Sequence, residues 1–190
     1  MNKSELRKIY LAKQKNLSAS ERKQKSAQIA ERFFARFDLS DINFLHGFLP
    51  IEKFNEIDTK IIFERVWRDF PPVKTLAPRV EFQTNEIENL IFKRETKFIE
   101  NIWQISEPIG NEKIETKKID ALLVPLLCFD KSGFRVGYGK GFYDRFLKQC
   151  RNDCLKIGLS YFAPVAEISD AQDFDVKLDF FVSSEKIWQF

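Results

Sequence analysis

The segment 133–145 reads Gly-Phe-Arg-Val-Gly-Tyr-Gly-Lys-Gly-Phe-Tyr-Asp-Arg and holds four of the chain's 7 glycines. Gly137, Gly139 and Gly141 alternate with larger residues, Arg135, Lys140 and Arg145 supply cations, and Asp144 supplies a carboxylate. Glycine lets backbone N–H groups approach an anion because no Cβ intervenes. A helix N-terminus beside such a loop, with cationic side chains near it, suits phosphate. Asp144, at the start of the helical pattern that follows, could hold Mg²⁺. The segment is not a Walker A loop, since Lys140 is followed by Gly141 and not by Ser or Thr. Nor is it the dinucleotide fingerprint, whose third glycine falls where Phe142 stands. Taken alone, the loop also reads as a glycine-rich hairpin carrying surface charges.

The loop needs elements to hold it. Upstream, Ile119–Phe129 is a continuous apolar run, which suits a strand buried on both faces of a parallel sheet. Downstream, Phe142, Phe146 and Leu147 mark the buried side of a helix. The first residues predict a basic helix over 3–15 with Leu6, Ile9 and Tyr10 on one side. Ser18 and Glu21 form a capping box that opens a second helix reaching about Phe37. Ile29, Ala30, Phe33, Phe34 and Phe37 give that helix its apolar stripe. Residues 43–50 predict a strand, and Asp58 a cap for a helix that buries Ile61, Ile62 and Val66. Residues 73–80, 154–161 and 178–184 read as further strands. Residues 82–105 mix strand-like pieces (89–93 and 97–105) with polar turns. Strands alternate with helices, so the expected fold is α/β: one domain over 1–190, with a mostly parallel sheet flanked by helices in a Rossmann-like three-layer arrangement.

Composition narrows the classes. The chain has 190 residues, 44% hydrophobic and 31% charged, with 20 Phe, enough for a sizeable core. The net charge of +3 is small for a nucleic-acid binder. Residues 1–36 are basic, with ten Lys/Arg against Glu5, Glu21 and Glu31. Cys128, Cys150 and Cys154 make an odd number, unlike a disulfide framework, and read as reduced thiols. Cys150 and Cys154 could share a helix face, with no His or Cys nearby to complete a metal site. His46, the single histidine, reads as structural. No apolar run reaches the length of a membrane span, and no signal-peptide core opens the chain. The expectation is a cytoplasmic protein.

Residues 122–147, Leu-Leu-Val-Pro-Leu-Leu-Cys-Phe-Asp-Lys-Ser-Gly-Phe-Arg-Val-Gly-Tyr-Gly-Lys-Gly-Phe-Tyr-Asp-Arg-Phe-Leu, closely resemble the signature of the 5-formyltetrahydrofolate cyclo-ligase family. Residues 3–8 (Lys-Ser-Glu-Leu-Arg-Lys) resemble its N-terminal element. Residues 48–59 resemble the strand, loop and helix start that line its folate pocket, and 173–185 its Asp-rich turn and last strand. Two features depart from the pattern. The loop between Phe48 and Glu56 is longer than in some members, and Phe142 stands where many have Tyr.

The resemblance implies an ATP-dependent ligase that acts on 5-formyltetrahydrofolate with Mg²⁺ as cofactor. It places ATP against Lys3, Ser4, Glu5, Leu6 and Arg7 and against Arg135, Gly137, Tyr138, Gly139, Lys140, Gly141, Phe142 and Tyr143, with Lys140 and Arg135 as catalytic cations. It assigns Mg²⁺ to Asp144 and Asp175. It gives the folate to Leu49, Glu56, Tyr138 and Phe142, with Arg79 nearby. The implied partners are small molecules only, without nucleic acid or membrane, and the implied state is a monomer. Two other readings compete: an isomerase or acyl transferase on a related sheet, which needs an acid/base group or nucleophile near the loop but no ATP, and an RNA-binding module built on the basic first 36 residues, whose binding would weaken steeply with salt.

Overall fold

In the computed structural model the first two helices open in the same way. The side chains of Asn2 and Ser18 accept from the backbone N–H groups of Glu5 and Glu21, and those glutamates bond back to the N–H groups of Asn2 and Ser18. Two donors that a helix start leaves open are thereby satisfied at each end. Helix α1 runs Lys3–Lys15 and α2 runs Ala19–Arg36. Along α1 the buried stripe is Leu6, Tyr10 and Gln14. Ile9, expected on that side, is 38% exposed, because it sits a quarter-turn away from the line joining Leu6 and Tyr10. Helix α3 is Lys60–Asp69 and α4 is Phe142–Gln149. Thr59, not Asp58, occupies the N-cap of α3, although the Asp58 carboxylate still accepts from Lys60 N–H at 3.1 Å.

The structure describes all residues except Phe82, Gln83, Asn85, Trp103 and Asp173. The parts of the expected 82–105 and 173–185 features that fall on those five lie outside the described residues. The strands are β1 (Phe44–His46), β2 (Lys74–Glu81), β3 (Glu86–Phe92), β4 (Phe98–Glu100), β5 (Ser106–Pro108), β6 (Lys113–Ile114), β7 (Ala121–Pro125), β8 (Cys128–Phe129), β9 (Arg135–Val136), β10 (Leu155–Ser160), β11 (Phe180–Ser183) and β12 (Ile187–Gln189). Among the described residues the main sheet has the order β12-β11-β10-β7-β1-β2-β3-β6. From β11 to β2 every pair is parallel, and the pairs outside them are antiparallel. The parallel centre matches the sequence reading. The antiparallel edge strands β12 and β6 escaped it, being short and half-exposed, without an alternating pattern.

The sheet separates two apolar layers. Leu123, Ile157, Leu159 and Val182 face α2 and α3, packing with Ile29, Phe33, Ile62 and Val66. Leu122, Val124 and Phe181 face the other way, onto Phe146 and Leu147 of α4. Successive side chains of a strand point to opposite faces, which is why β7 is apolar at consecutive positions and buried throughout Ala121–Val124. His46 lies on the α4 side, fully buried, with its ring 5.0 Å from that of Phe146. Burial holds its pKa down at about 3, so it is neutral, in keeping with a packing role.

The run 119–129 is not one strand, contrary to expectation. The main-sheet strand ends at Pro125, which has no N–H to continue a ladder. Leu127 N–H then bonds to Val136 O at 2.8 Å, and β8 pairs antiparallel with β9. The glycine loop therefore follows a small hairpin, not the buried strand itself. That hairpin turns the chain back over the carboxyl ends of the parallel strands, where open α/β sheets bind ligands.

Candidate functional site

Glu56 follows a short 3₁₀ turn, Glu52–Phe54, that ends on Asn55 in the left-handed region at φ 56°. The Asn55 side chain bonds to Lys15 O at 2.9 Å and fastens this turn to the end of α1. Glu56 is 7% exposed, whereas Glu52, one turn earlier, is exposed. The Glu56 carboxylate accepts from Ile51 N–H at 2.7 Å and from the hydroxyl of Tyr138. Burial pushes its pKa up to about 7, against the opposing pull of those two bonds. Gln14 completes the cluster. Its amide nitrogen donates to Tyr138 Oη at 2.9 Å and to Phe54 O at 2.8 Å. The Tyr138 ring stacks on Phe54 with centroids 5.1 Å apart. The cavity left between Glu56, Tyr138, Phe48 and Leu126 measures about 10 Å³, room for a single water.

Tyr138 belongs to the glycine loop, so the same few residues face two ways. Arg7 of α1 donates to Gly137 O at 3.0 Å, and its guanidinium crosses over Gly139, where a Cβ would come within 3.0 Å. Gly139 has φ +89° and Gly141, the N-cap of α4, has φ +71°. Both lie in the region that side chains disfavour. Gly137 has no atom within 4 Å of where its Cβ would stand. Lys140, at the exposed tip, makes no ion pair or hydrogen bond among the described residues. Below the loop, the side chain of Arg135 is 5% exposed and bonds to Asp144 Oδ1 at 2.7 Å and to Val176 O at 2.9 Å. Lys3 forms an ion pair with Asp175, one residue before Val176. The Tyr143 hydroxyl is buried without a partner among the described residues and senses both Glu56 and Arg135.

The fold thus brings Lys3, Arg7, Arg135, Gly137–Gly141, Asp144 and Asp175 to one place, with Glu56 joined to it through Tyr138. Other candidates lie elsewhere or do other work. Leu49 packs with Phe63, Ala77 and Phe92. Arg79 pairs with Glu88 at 2.7 Å and bonds to Gly110 O at 3.2 Å. Phe142 packs against the α4-side core with Arg145 over its ring at 5.2 Å. Leu6 is core, Glu5 belongs to the capping box, and Ser4 is exposed. Gln14, Phe54 and Tyr161, whose hydroxyl donates to Glu56 O at 2.9 Å, escaped the sequence reading. For Gln14 a signal existed: it continues the Leu6–Tyr10 spacing, and a polar residue on a buried stripe must find a partner.

Residues 1–182 match the 5-formyltetrahydrofolate cyclo-ligase family. The chain belongs to that family. It is 27% identical over 183 residues to the 5-formyltetrahydrofolate cyclo-ligase of Mycoplasma genitalium, covering 96% of this chain and 98% of that one. The mouse cyclo-ligase is 29% identical over 141 residues, 70% of this chain and 68% of that one. The solved structure of the Aquifex aeolicus 5,10-methenyltetrahydrofolate synthetase superposes with a TM-score of 0.83 at 30% identity, covering 100% of this chain and 93% of that one. The Mycoplasma pneumoniae synthetase superposes at 0.76 with 27% identity, covering 97% and 100%.

As a cyclo-ligase family member this chain is an enzyme of the ligase class, and its mostly parallel sheet with flanking helices is the family fold. Among the described residues no helix is long and apolar enough to cross a membrane. Among them, too, no three His, Cys, Asp or Glu side chains gather as a ready-made metal cage. Magnesium does not require one: it commonly takes one or two carboxylates and completes its shell with phosphate oxygens and water. Asp144 and the Asp175 turn, both tied to Arg135, offer that kind of hard oxygen donor set.

Proposed function

We propose that this chain converts 5-formyltetrahydrofolate to 5,10-methenyltetrahydrofolate, consuming ATP with Mg²⁺ and releasing ADP and phosphate. The observation that carries this reading is Tyr138, which sits inside the glycine loop and hydrogen-bonds Glu56. A triphosphate cradled by Gly137–Gly141 and a folate head held at Glu56 would then meet across one residue. In this reading the formyl oxygen attacks the γ-phosphorus and displaces ADP, giving an imidate phosphate at N5. N10 then attacks the activated carbon and phosphate leaves, closing the ring. The substrate supplies both nucleophiles, so the protein's work is placement and charge neutralisation.

Each residue has a role in that work. Arg7, Lys140 and the loop N–H groups neutralise and orient the triphosphate. Arg135, buried beneath the loop, fixes Asp144. Asp144 and Asp175 would hold Mg²⁺, which when bound supplies charge neutralisation on the phosphates. Glu56, ionised, accepts from the amino-pyrimidine edge of the pterin, and the Tyr138–Phe54 stack parts to admit the ring. The reading takes the enzyme to be a cytoplasmic monomer acting on these small molecules, with no nucleic-acid or membrane partner. The test is absorbance of the methenyl product formed from 5-formyltetrahydrofolate. Product should appear only with ATP and should stop when Mg²⁺ is chelated. No product with both present would overturn the reading.

Two variants probe the halves of the site. Asp144→Asn should raise the Mg²⁺ concentration needed for half-maximal rate, because a neutral amide binds a hard cation more weakly than a carboxylate. It also weakens the partner of buried Arg135, worth about 1–2 kcal/mol, so Tm should fall by about 2–8 °C. A lowered Tm with an unchanged Mg²⁺ titration would restrict Asp144 to anchoring Arg135. Tyr138→Phe removes a donor that favours ionised Glu56, so Glu56 should titrate above its present value of about 7. KM for 5-formyltetrahydrofolate near pH 7 should rise roughly 2–10-fold and recover as pH is raised. A rise that is the same at every pH would leave Tyr138 only its stacking role.

A further inference from the structure

A second cleft lies at the opposite end of the sheet from the glycine loop. It encloses about 360 Å³ and is lined by Phe44, Lys74 and Asp120, at the amino ends of β1, β2 and β7, together with Pro72, Lys118 and Arg151. Those three strands are parallel neighbours, so their carboxyl ends lie a strand length away. Three cations meet one carboxylate here, and that carboxylate is already engaged. Asp120 Oδ2 accepts from the N–H groups of Asn43 and Phe44 at 2.8 and 2.9 Å, and Oδ1 accepts from Arg151 Nη2 at 2.9 Å. Burial pushes the Asp120 carboxyl up, but these bonds outweigh it and hold its pKa below the ordinary value, so it is ionised. Arg151 Nε donates to exposed Asp153 at 3.0 Å, and Nη1 takes part in neither bond. Lys74 lies over the Phe44 ring at 5.7 Å, with no carboxylate partner among the described residues. Lys118 pairs with Glu115 at 3.5 Å, and both side chains are more than half exposed. A pair of that kind contributes little.

We propose that this cleft binds a small organic phosphate, with the phosphoryl group on Lys74, Lys118 and Arg151 and the apolar body on Phe44 and Pro72. Charge decides the class. Three positive side chains and one negative line the cleft, a net charge of +2. A phosphate monoester carries about −1.5 to −2 at neutral pH, which balances that excess, whereas a monocarboxylate balances half of it. Ammonium and guanidinium groups only donate hydrogen bonds, so they call for a ligand group that only accepts. Size and shape add the organic part. The volume is that of a site for a small organic molecule, not for a bare ion. Phe44 is half-buried and Pro72 exposed, so apolar surface stands beside the cations. No residue assigned to the nucleotide or the folate takes part, and the cleft stands apart from that reading.

The test is a titration of the full chain, isotope-labelled and without ATP or folate, with phenyl phosphate, read from the backbone amide signals. The amides of Phe44, Lys74, Lys118 and Arg151 should move along one saturating curve in the millimolar range, and added salt should weaken the binding. Inorganic phosphate should bind the cleft less tightly, because it leaves Phe44 and Pro72 uncovered. The double variant Lys74→Ala, Lys118→Ala removes two exposed cations that the fold does not lean on, so Tm should be unchanged. It should weaken phenyl phosphate at the cleft by about ten-fold or more. Any response of Gly137, Gly139 and Gly141 to the same phosphate should persist in the variant, which separates the two ends of the sheet. Signals that move only in the glycine loop would overturn the proposal. So would an affinity at the cleft that the double variant leaves intact, or inorganic phosphate binding there as tightly as phenyl phosphate.

Discussion

Glu56→Gln should lose the folate and gain stability. The substitution keeps the size of the side chain but turns one acceptor into a donor, which would then face the donors of the pterin edge. A buried mismatch of that kind costs about 1–3 kcal/mol, so KM for 5-formyltetrahydrofolate should rise by about ten-fold or more. ATP affinity, measured without folate, should hardly change. Stability follows from the carboxyl group's titration. Its ordinary value is 4.5, and burial raises it to about 7. Below pH 4.5 both folded and unfolded chains carry the proton, and folding loses nothing. As pH rises towards 7 the unfolded chain releases it while the folded chain keeps it, so stability falls, and above 7 the loss is complete. A shift of this size corresponds to roughly 3 kcal/mol. Glutamine has no proton to lose. The Tm of the variant relative to wild type should therefore climb by several degrees between pH 5 and pH 8, in ligand-free protein. Equal weakening of folate and ATP would mean that Glu56 acts through the fold. A Tm difference independent of pH would remove its buried charge from the account.

The sequence carried the parts of this fold that depend on local rules. The capping box at Ser18 and Glu21, the apolar stripe of α2 and the two-faced burial of β7 each follow from residue spacing, and each is in the structure. What spacing does not encode is where a chain turns once a ladder stops. Pro125 divides the 119–129 run, and the β8–β9 hairpin that results decides how the glycine loop sits. The site shows the same division. Gly137–Gly141, Lys140 and Asp144 stand out because glycine and charge are rare together before an apolar helix. The Glu56–Tyr138–Gln14 cluster does not, since its members are 42 residues or more from Gln14 to Glu56 and a further 82 to Tyr138, and none of the three is unusual in its own neighbourhood. Its existence follows from tertiary burial, which makes each polar group find a partner. Arg135 illustrates a third case: its charge is legible, but its commitment to Asp144 and Val176 O is not.

Lys140→Ala should cost catalysis far more than it costs the fold. Lys140 lies between Gly139 and Gly141, at the exposed tip of the loop, and it holds no ion pair or hydrogen bond among the described residues. Arg7 and Arg135, by contrast, are committed to Gly137 O and Asp144. Removing either arginine would loosen α1 or the loop itself, so a lost rate could not be told from a lost structure. Lys140 is free of that ambiguity. An exposed side chain without structural partners changes stability by about 0.5 kcal/mol or less, so Tm should stay within about 2 °C of wild type. The rate tells the other half. If the ammonium meets phosphate charge that develops during transfer, its loss should raise the barrier by roughly 2–4 kcal/mol, and kcat/KM for ATP should fall about 10²–10³-fold. Lys140→Arg, which keeps the charge on a bulkier group, should recover part of the rate. Unchanged kcat/KM in the alanine variant would remove Lys140 from the phosphate site and leave Arg7 and the loop N–H groups to do that work. A loss confined to KM, with kcat intact, would make Lys140 a binding cation that acts equally on bound ATP and on the transferring phosphoryl group.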